Sequence, residues 1–507
     1  MPEPVTGAAA RRWWRRYLLV VSLVCLATLA AAVGVAVFAP ARHPGTARTL
    51  APLSTVVVTV DASRTAGVLP ATVLGLSYEA DELALRPGFE AGRGNLANLM
   101  RGLGTGYLKV GANAVDDYVI WNPDHLPVPP WAKTSIGPPE IDVLAGLAQA
   151  TGWRVELGVN LARFDAPRAT AEAQYATARL GALLAAVECG NEPNGYAGRV
   201  RPAGYGYADY RAEFEACADA VTRAGAPLAG PNTYAGAWIA NFARDEHDRV
   251  VLLTDQPYAL AQDPARQPTL ADLLSPATAA RDLRLVDRAV AVARAYHLPL
   301  RRDETNSVNQ GGLAGVSDVY GSALWALDYT LRLAQHGVSG LNFHGTAGLC
   351  GRPETDGKVR HYTPLCAAGA ADLAAGVLTP QPVYYGLLMA HLLGAGEFLP
   401  VTVTGAGSRH VDAYAVRGAD GRVRVLVVNA DPAAAALRLD PGTGHAAEVL
   451  HLTGESLDSS AGIAIQGRRV NRDGTFTPGP PDRISAGPGG FTLALRPASA
   501  TLVTVTG

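Results

Sequence analysis

Cysteine is scarce in this 507-residue chain, and nowhere is it grouped. Cys25, Cys189, Cys217, Cys350 and Cys366 form no C-x-x-C pair and join no histidine at a zinc-ligand spacing. The familiar zinc motifs are therefore excluded, and neither a metal nor another cofactor is expected. Blocks of basic charge are also missing. No Lys/Arg-rich tract follows the first twenty residues, and the formal net charge is −2. A protein that holds duplex nucleic acid or a polysulfated chain carries a basic stripe, so neither partner is expected. The glycine pairs in GAGS and GPGG have no following Lys and open no helical pattern, which makes them turns rather than phosphate loops. No repeat of fixed period is present. What remains is a globular composition, 48% apolar and 17% charged, long enough for two or three domains.

The first segment stands apart. Arg11, Arg12, Arg15 and Arg16 precede an uncharged run from Tyr17 to Phe38, which has the length of a bilayer span, about 20 residues. Residues 1–39 read either as a membrane anchor with its N-terminus inside the cell or as a long signal peptide cleaved near Ala39–Ala41. Either way the rest is exported. In an oxidising compartment Cys350 and Cys366 would close the loop CGRPETDGKVRHYTPLC. Cys189 and Cys217, in apolar and helical runs, read as buried free thiols. Residues 40–53 are a Pro/Ala/Arg linker, and 54–70 begin with a strand, STVVVTVD, expected to pair into a later β-module.

From 71 to 394 short apolar runs alternate with helical stretches. The strand candidates are TVLGLSYE, GYLKVGAN, WRVELGVN, AAVECGNEP, PLAGPN, VVLLTDQPY, LPLRRDETN and VSGLNFHG. Ala/Leu/Arg-rich helical segments such as YADYRAEFEACADAVTRAG lie between them. Eight such units fit an α/β fold, a (β/α)8 TIM barrel. Residues 395–507 hold only short strands separated by Gly/Asp/Pro turns, as in a β-sandwich.

In such a barrel, chemistry sits at the C-terminal ends of the strands. Glu192 ends the fourth candidate in GNEPN, and Glu304 ends the seventh in RRDETN. Retaining cleavage of a glycosidic bond needs two carboxyl groups about 5–5.5 Å apart, which opposed strand ends can supply. Pro193 ends the strand and presents Glu192 at the rim as proton donor, with Asn191 beside it for the substrate's 2-hydroxyl. Arg301, Arg302 and Asn306 surround Glu304 in sequence and are expected to keep it ionised as the nucleophile.

These segments resemble glycoside hydrolases of the clan with strand-four and strand-seven glutamates. The run from DETNSVNQGG to LNFHG is similar to family 79, which holds heparanase and microbial β-glucuronidases. LKVGANAVD resembles that family's LRxGGNxxD, and LTGESLD resembles part of its appended β-domain. The resemblance implies that Glu79, Asn113 and Tyr258 contact the sugar. It also implies that Gly311, Gly312 and Tyr362 bind a uronate carboxylate, with Tyr320 the alternative tyrosine. Lys109 stands where the family has Arg, Ala112 where it has a second Gly, and Asn194 where Asp is common. TDQPY lacks the expected His-His-Tyr.

The leading expectation is thus an exo-acting β-glucuronidase on a carbohydrate substrate. The alternatives are an endo-acting enzyme of the heparanase type and a non-catalytic carbohydrate-binding protein anchored at the cell surface.

Overall fold

The computed structural model describes residues 54–507. The N-terminal anchor or signal segment and the linker lie outside the described residues. Among the described residues no helix is long and apolar enough to cross a membrane.

Eight parallel strands close a barrel in chain order: β1 (Leu74–Glu79), β2 (Tyr107–Gly111), β3 (Arg154–Val159), β4 (Leu184–Cys189), β5 (Leu228–Thr233), β6 (Leu252–Asp255), β7 (Leu300–Thr305) and β8 (Gly340–His344). Six lie within their sequence candidates, and β4 and β5 each overrun theirs by one residue, at Leu184 and Thr233. They are short and almost wholly buried because helices cover their outer faces, so they read as apolar runs rather than alternating ones. The helices between them include Pro138–Thr151, Ala166–Leu180, Tyr207–Arg223, Gly236–Glu246 and Pro276–Ala295.

The helix Tyr320–His336, before β8, is buried through Ala334. Such a helix needs apolar partners all round. One is the helix Pro382–Leu393, whose Gly386 lies so near that a Cβ there would stand 2.2 Å from the Ala323 carbonyl. Tyr320 and Gly321 donate backbone N–H groups to the carbonyls of Ser459 and Leu457, 2.7 Å each, and the Tyr320 hydroxyl donates to Leu452. The LTGESLD segment thus caps this barrel helix from the β-module.

The module is two packed sheets. One holds Val401–Thr404, Thr55–Val60, Ala435–Asp440 and Phe491–Leu495. The other is an eight-stranded sheet built around Val411–Gly418, Val423–Asn429, Ser499–Thr506 and Ala446–Thr453. Val56, Val58, Leu437 and Phe491 meet Val425, Val427, Val449 and Val503 between them. Thr55–Val60 pairs with both Val401–Thr404 and Ala435–Asp440, and Gly67–Leu69 joins the edge of the larger sheet. The described residues therefore begin in the module before they enter the barrel.

Cys350 is disulfide-bonded to Cys366. Cys189 and Cys217, expected as free thiols, are bonded to each other. Cys189 ends β4, and Cys217 lies on the buried face of the helix Tyr207–Arg223 that packs behind it. Burial was read correctly; the partner was invisible because 28 residues separate the two.

Candidate active site

Glu192 sits on a turn that is held from three sides. Asp116, the last residue of LKVGANAVD, is wholly buried and accepts N–H bonds from Leu161 (2.8 Å), Ala162 (3.0 Å) and Asn191 (2.7 Å), with the Tyr196 hydroxyl as a fourth donor. From β5, Asn232 donates to the Gly190 carbonyl (2.9 Å), and its own carbonyl takes the Glu192 N–H (2.9 Å). This clamping holds Glu192 at φ 46°, ψ 51°, a left-handed conformation that costs a non-glycine residue of the order of 1–3 kcal/mol. The side chain faces a cleft of about 380 Å³ that Glu304 also lines. Burial and then the negative charge of Glu304 push the Glu192 carboxyl up to about 8, against the weaker pull of Lys109, Lys358 and Arg199.

Glu304 is 3% exposed. The Tyr258 hydroxyl donates to its Oε1 at 3.0 Å, and Lys109 Nζ stands 3.9 Å from Oε2, which has no hydrogen-bond partner. Burial and the Glu304 charge raise the Tyr258 phenol well above its ordinary value, so it stays protonated and donates. Lys109 rises from β2 through the barrel interior. It bonds Asp303 Oδ2 (2.5 Å) and Asn191 Oδ1 (3.3 Å) and lies 3.5 Å from Glu188. Burial alone would lower its pKa; Asp303, Glu188 and Glu304 reverse that and raise it.

The cations expected to attend Glu304 do not reach it. Arg301 points to the bottom of the barrel, where it bonds Asn342 (2.8 Å) and the carbonyls of Thr72 and Leu74. Arg302 points outward into a two-bonded pair with Asp255 (3.1 and 3.0 Å). Asn306 donates to the carbonyls of His344 and Tyr362. Arg301 sits one rung below Asp303 on the interior face, and the register of β7 shifts between Arg302 and Thr305, so Glu304 enters the cleft although Arg302, two residues earlier, faces out. The cation comes from β2 instead.

The opposite wall is built on the disulfide-closed loop. Arg360 bonds Glu79 Oε1 and Asp356 Oδ2, 2.9 Å each. Burial would raise Glu79. The His344 hydrogen bond, the charge of Arg360 and the Ala114 N–H (2.7 Å) outweigh it and hold the carboxylate at about 2. Tyr362 and Lys358 follow into the cleft; the Tyr362 hydroxyl lies 3.5 Å from that of Tyr258.

Of the sequence candidates, Glu79, Asn113, Glu192, Tyr258, Glu304, Gly311 and Tyr362 line this one cleft, and His344 joins them. Asn113 follows Ala112, whose φ of 51° lies where the resembled motif has glycine. Asn191 lies beneath the wall: Lys109 and Gln256 (2.9 Å) saturate its oxygen, and its buried amide nitrogen has no partner. Gly312 does not line the cleft, and its N–H is bonded to the Asn309 carbonyl (3.2 Å). Tyr320 is committed to the module. Lining residues not anticipated include Lys358 and Arg360, within the Cys-bounded loop, Tyr234 after β5, Gln256 after β6, and Asn309 and Gln310 before Gly311. The DGKVRH charges between the two cysteines were the available signal for the first two.

No family model and no curated protein matches the chain. Solved structures do. A 4-O-α-L-rhamnosyl-β-D-glucuronidase from Fusarium oxysporum 12S is 22% identical, with TM-score 0.71 over 89% of this chain and 100% of its own. A GH51 arabinofuranosidase from Xanthomonas axonopodis pv. citri is 13% identical, with TM-score 0.65 over 89% and 100%. A GH39 enzyme from the same organism is 16% identical, with TM-score 0.58 over 91% and 99%. The likeness establishes the fold.

Proposed function

We propose that the chain is a retaining glycoside hydrolase that removes terminal β-linked glucuronate and is related to family 79. The carrying observation is the carboxyl pair: in one cleft, on β4 and β7, Glu192 is pushed up to about 8 while Glu304 accepts from a phenol and faces an ammonium. An acid that keeps its proton at neutral pH beside an acceptor-only carboxylate is the division of labour a double displacement needs. Glu304 attacks the anomeric carbon as the bond to the leaving oxygen breaks, and Glu192 gives that oxygen its proton. Glu192 then takes a proton from the water that cleaves the glycosyl ester and regenerates Glu304. Two disulfides and the N-terminal Arg-plus-apolar segment support action outside the cytosol.

The uronate assignment has a different basis from the implied Gly311–Gly312 pair. Lys358 brings a side chain cation to the cleft beside Tyr362 and the Gly311 turn. Charge-assisted hydrogen bonds contribute about 1.5–3 kcal/mol each, so two would favour glucuronide over glucoside on the order of 10³-fold. The test is kcat/KM for 4-nitrophenyl β-glucuronide, glucoside and galactoside, with the configuration of the first-formed sugar read by NMR. Preference for a neutral sugar would overturn the uronate assignment; net inversion would overturn the mechanism.

A further inference from the structure

Beside the cleft lies a second cavity, of about 450 Å³, between the helices Gly236–Glu246 and Pro276–Ala295. Tyr234 and Pro257 line both, so the two share a wall. The second has a different chemistry. Ala237, Ala240, Leu285 and Val292 form much of its wall. Asp255, its one carboxylate, is already bound at both oxygens by Arg302. Tyr234 and Leu285, large apolar side chains on the lip, are 52% and 44% exposed. A sugar subsite presents hydrogen-bonding groups to hydroxyls; beyond Tyr234 and the exposed Arg288, this mostly apolar wall offers few.

The position says what would occupy it. The Tyr234 hydroxyl stands against the turn that carries Glu192: a Cβ on Gly195 would lie 3.3 Å from it. The proton donor must act on the leaving oxygen, so the leaving group lies on the Glu192 side. Anything attached to that oxygen passes Tyr234 and enters the groove. We infer that the groove is an aglycone site for an apolar, non-sugar alcohol or phenol, larger than one ring. A cavity of about 150 Å³ accepts a benzene ring, so the groove has room for a bicyclic group. This rests on the proposed glycosidase reading and adds the class of glycoside to it.

The test uses ethyl, hexyl and 2-(1-naphthyl)ethyl β-glucuronides, whose leaving alcohols are of similar acidity, so differences in kcat/KM report binding of the aglycone. Each buried CH₂ is worth about fourfold. Burial of the equivalent of about two to three CH₂ groups in the open groove should raise kcat/KM roughly 30-fold from ethyl to naphthylethyl. Ala237→Trp, at an exposed helical position, should shrink that rise below about fivefold while leaving the ethyl compound within about twofold. Leu285→Arg, also at an exposed site, is the second variant. A flat series in the wild type, or an equal loss on every substrate in both variants, overturns the aglycone site. Binding of free 2-(1-naphthyl)ethanol, followed by NMR, separates this from the function itself. If no glycoside is turned over but the alcohol binds and Ala237→Trp abolishes it, the groove stands and the hydrolase reading falls. If glycosides are turned over and the alcohol does not bind at millimolar concentration, the groove reading falls alone.

Discussion

The ends of β4 and β7 carry the same residue type into the same cleft and treat it in opposite ways. Glu192 sits on a strained turn, partly buried beside the charge of Glu304, and its carboxyl is driven to about 8. Glu304 sits on the strand where the register of β7 shifts and is met by the Tyr258 hydroxyl and the Lys109 ammonium. Neither glutamate determines its own role. The difference lies in what β2, β5 and β6 deliver to each: Lys109 and Tyr258 toward Glu304, and Asp116 and Asn232 to the turn beneath Glu192.

The comparison breaks most visibly at Glu304. Glu304→Ala should lower kcat by roughly 10⁴-fold or more, because no other group can form the covalent intermediate. Azide should restore part of the rate and yield a glycosyl azide of inverted configuration. Retention of more than a few per cent of activity would assign the nucleophile elsewhere. Glu192→Ala should cost about 10²–10⁴-fold on alkyl glucuronides and much less on 4-nitrophenyl glucuronide, whose phenolate leaves without a proton. The wild-type alkaline limb, near pH 8, should vanish with it. Equal losses on both substrates would remove Glu192 from the acid's role.

A smaller effect is expected across the cleft. Lys358→Ala should reduce glucuronide kcat/KM by about 10–10²-fold and leave residual glucoside turnover within threefold. Loss of both in equal measure would mean that Lys358 only supports the loop.

How much of this was legible follows from what each feature depends on. The barrel was, because eight buried parallel strands must read as eight short apolar runs bounded by polar ends. Glu192 and Glu304 were, because strand ends are where chain order and space coincide. Their surroundings were not. Arg302 and Arg301 stand two and three residues before Glu304, yet both face away from it, while Lys109 reaches it from far along the chain. Adjacency in sequence was taken for adjacency in space, where depth along the strand and the register shift in β7 decide otherwise. Cys217 meets Cys189 for the same reason Lys109 meets Glu304: helices and strands close distances that spacing does not show.

The smallest effect concerns stability rather than rate. In the unfolded chain a Glu carboxyl titrates near 4.5; in the fold Glu192 titrates near 8. The folded state therefore holds this proton more tightly, and the resulting stabilisation is complete below pH 4.5 and is lost as pH rises through 8. Glu192→Gln keeps the shape and never ionises, so it does not suffer that loss. Its melting temperature should equal the wild type's at pH 4 and exceed it by about 2–4 °C at pH 8–9. Glu304→Gln removes the charge that is the second cause of the shift, so it should draw the Glu192 titration below 8, visible as an earlier midpoint in a ¹³C-carboxyl NMR titration. The two variants thus sharpen the same contrast without any substrate present. A gain for Glu192→Gln of equal size at pH 4 and pH 8 would mean that relief of packing, and not of buried charge, is responsible.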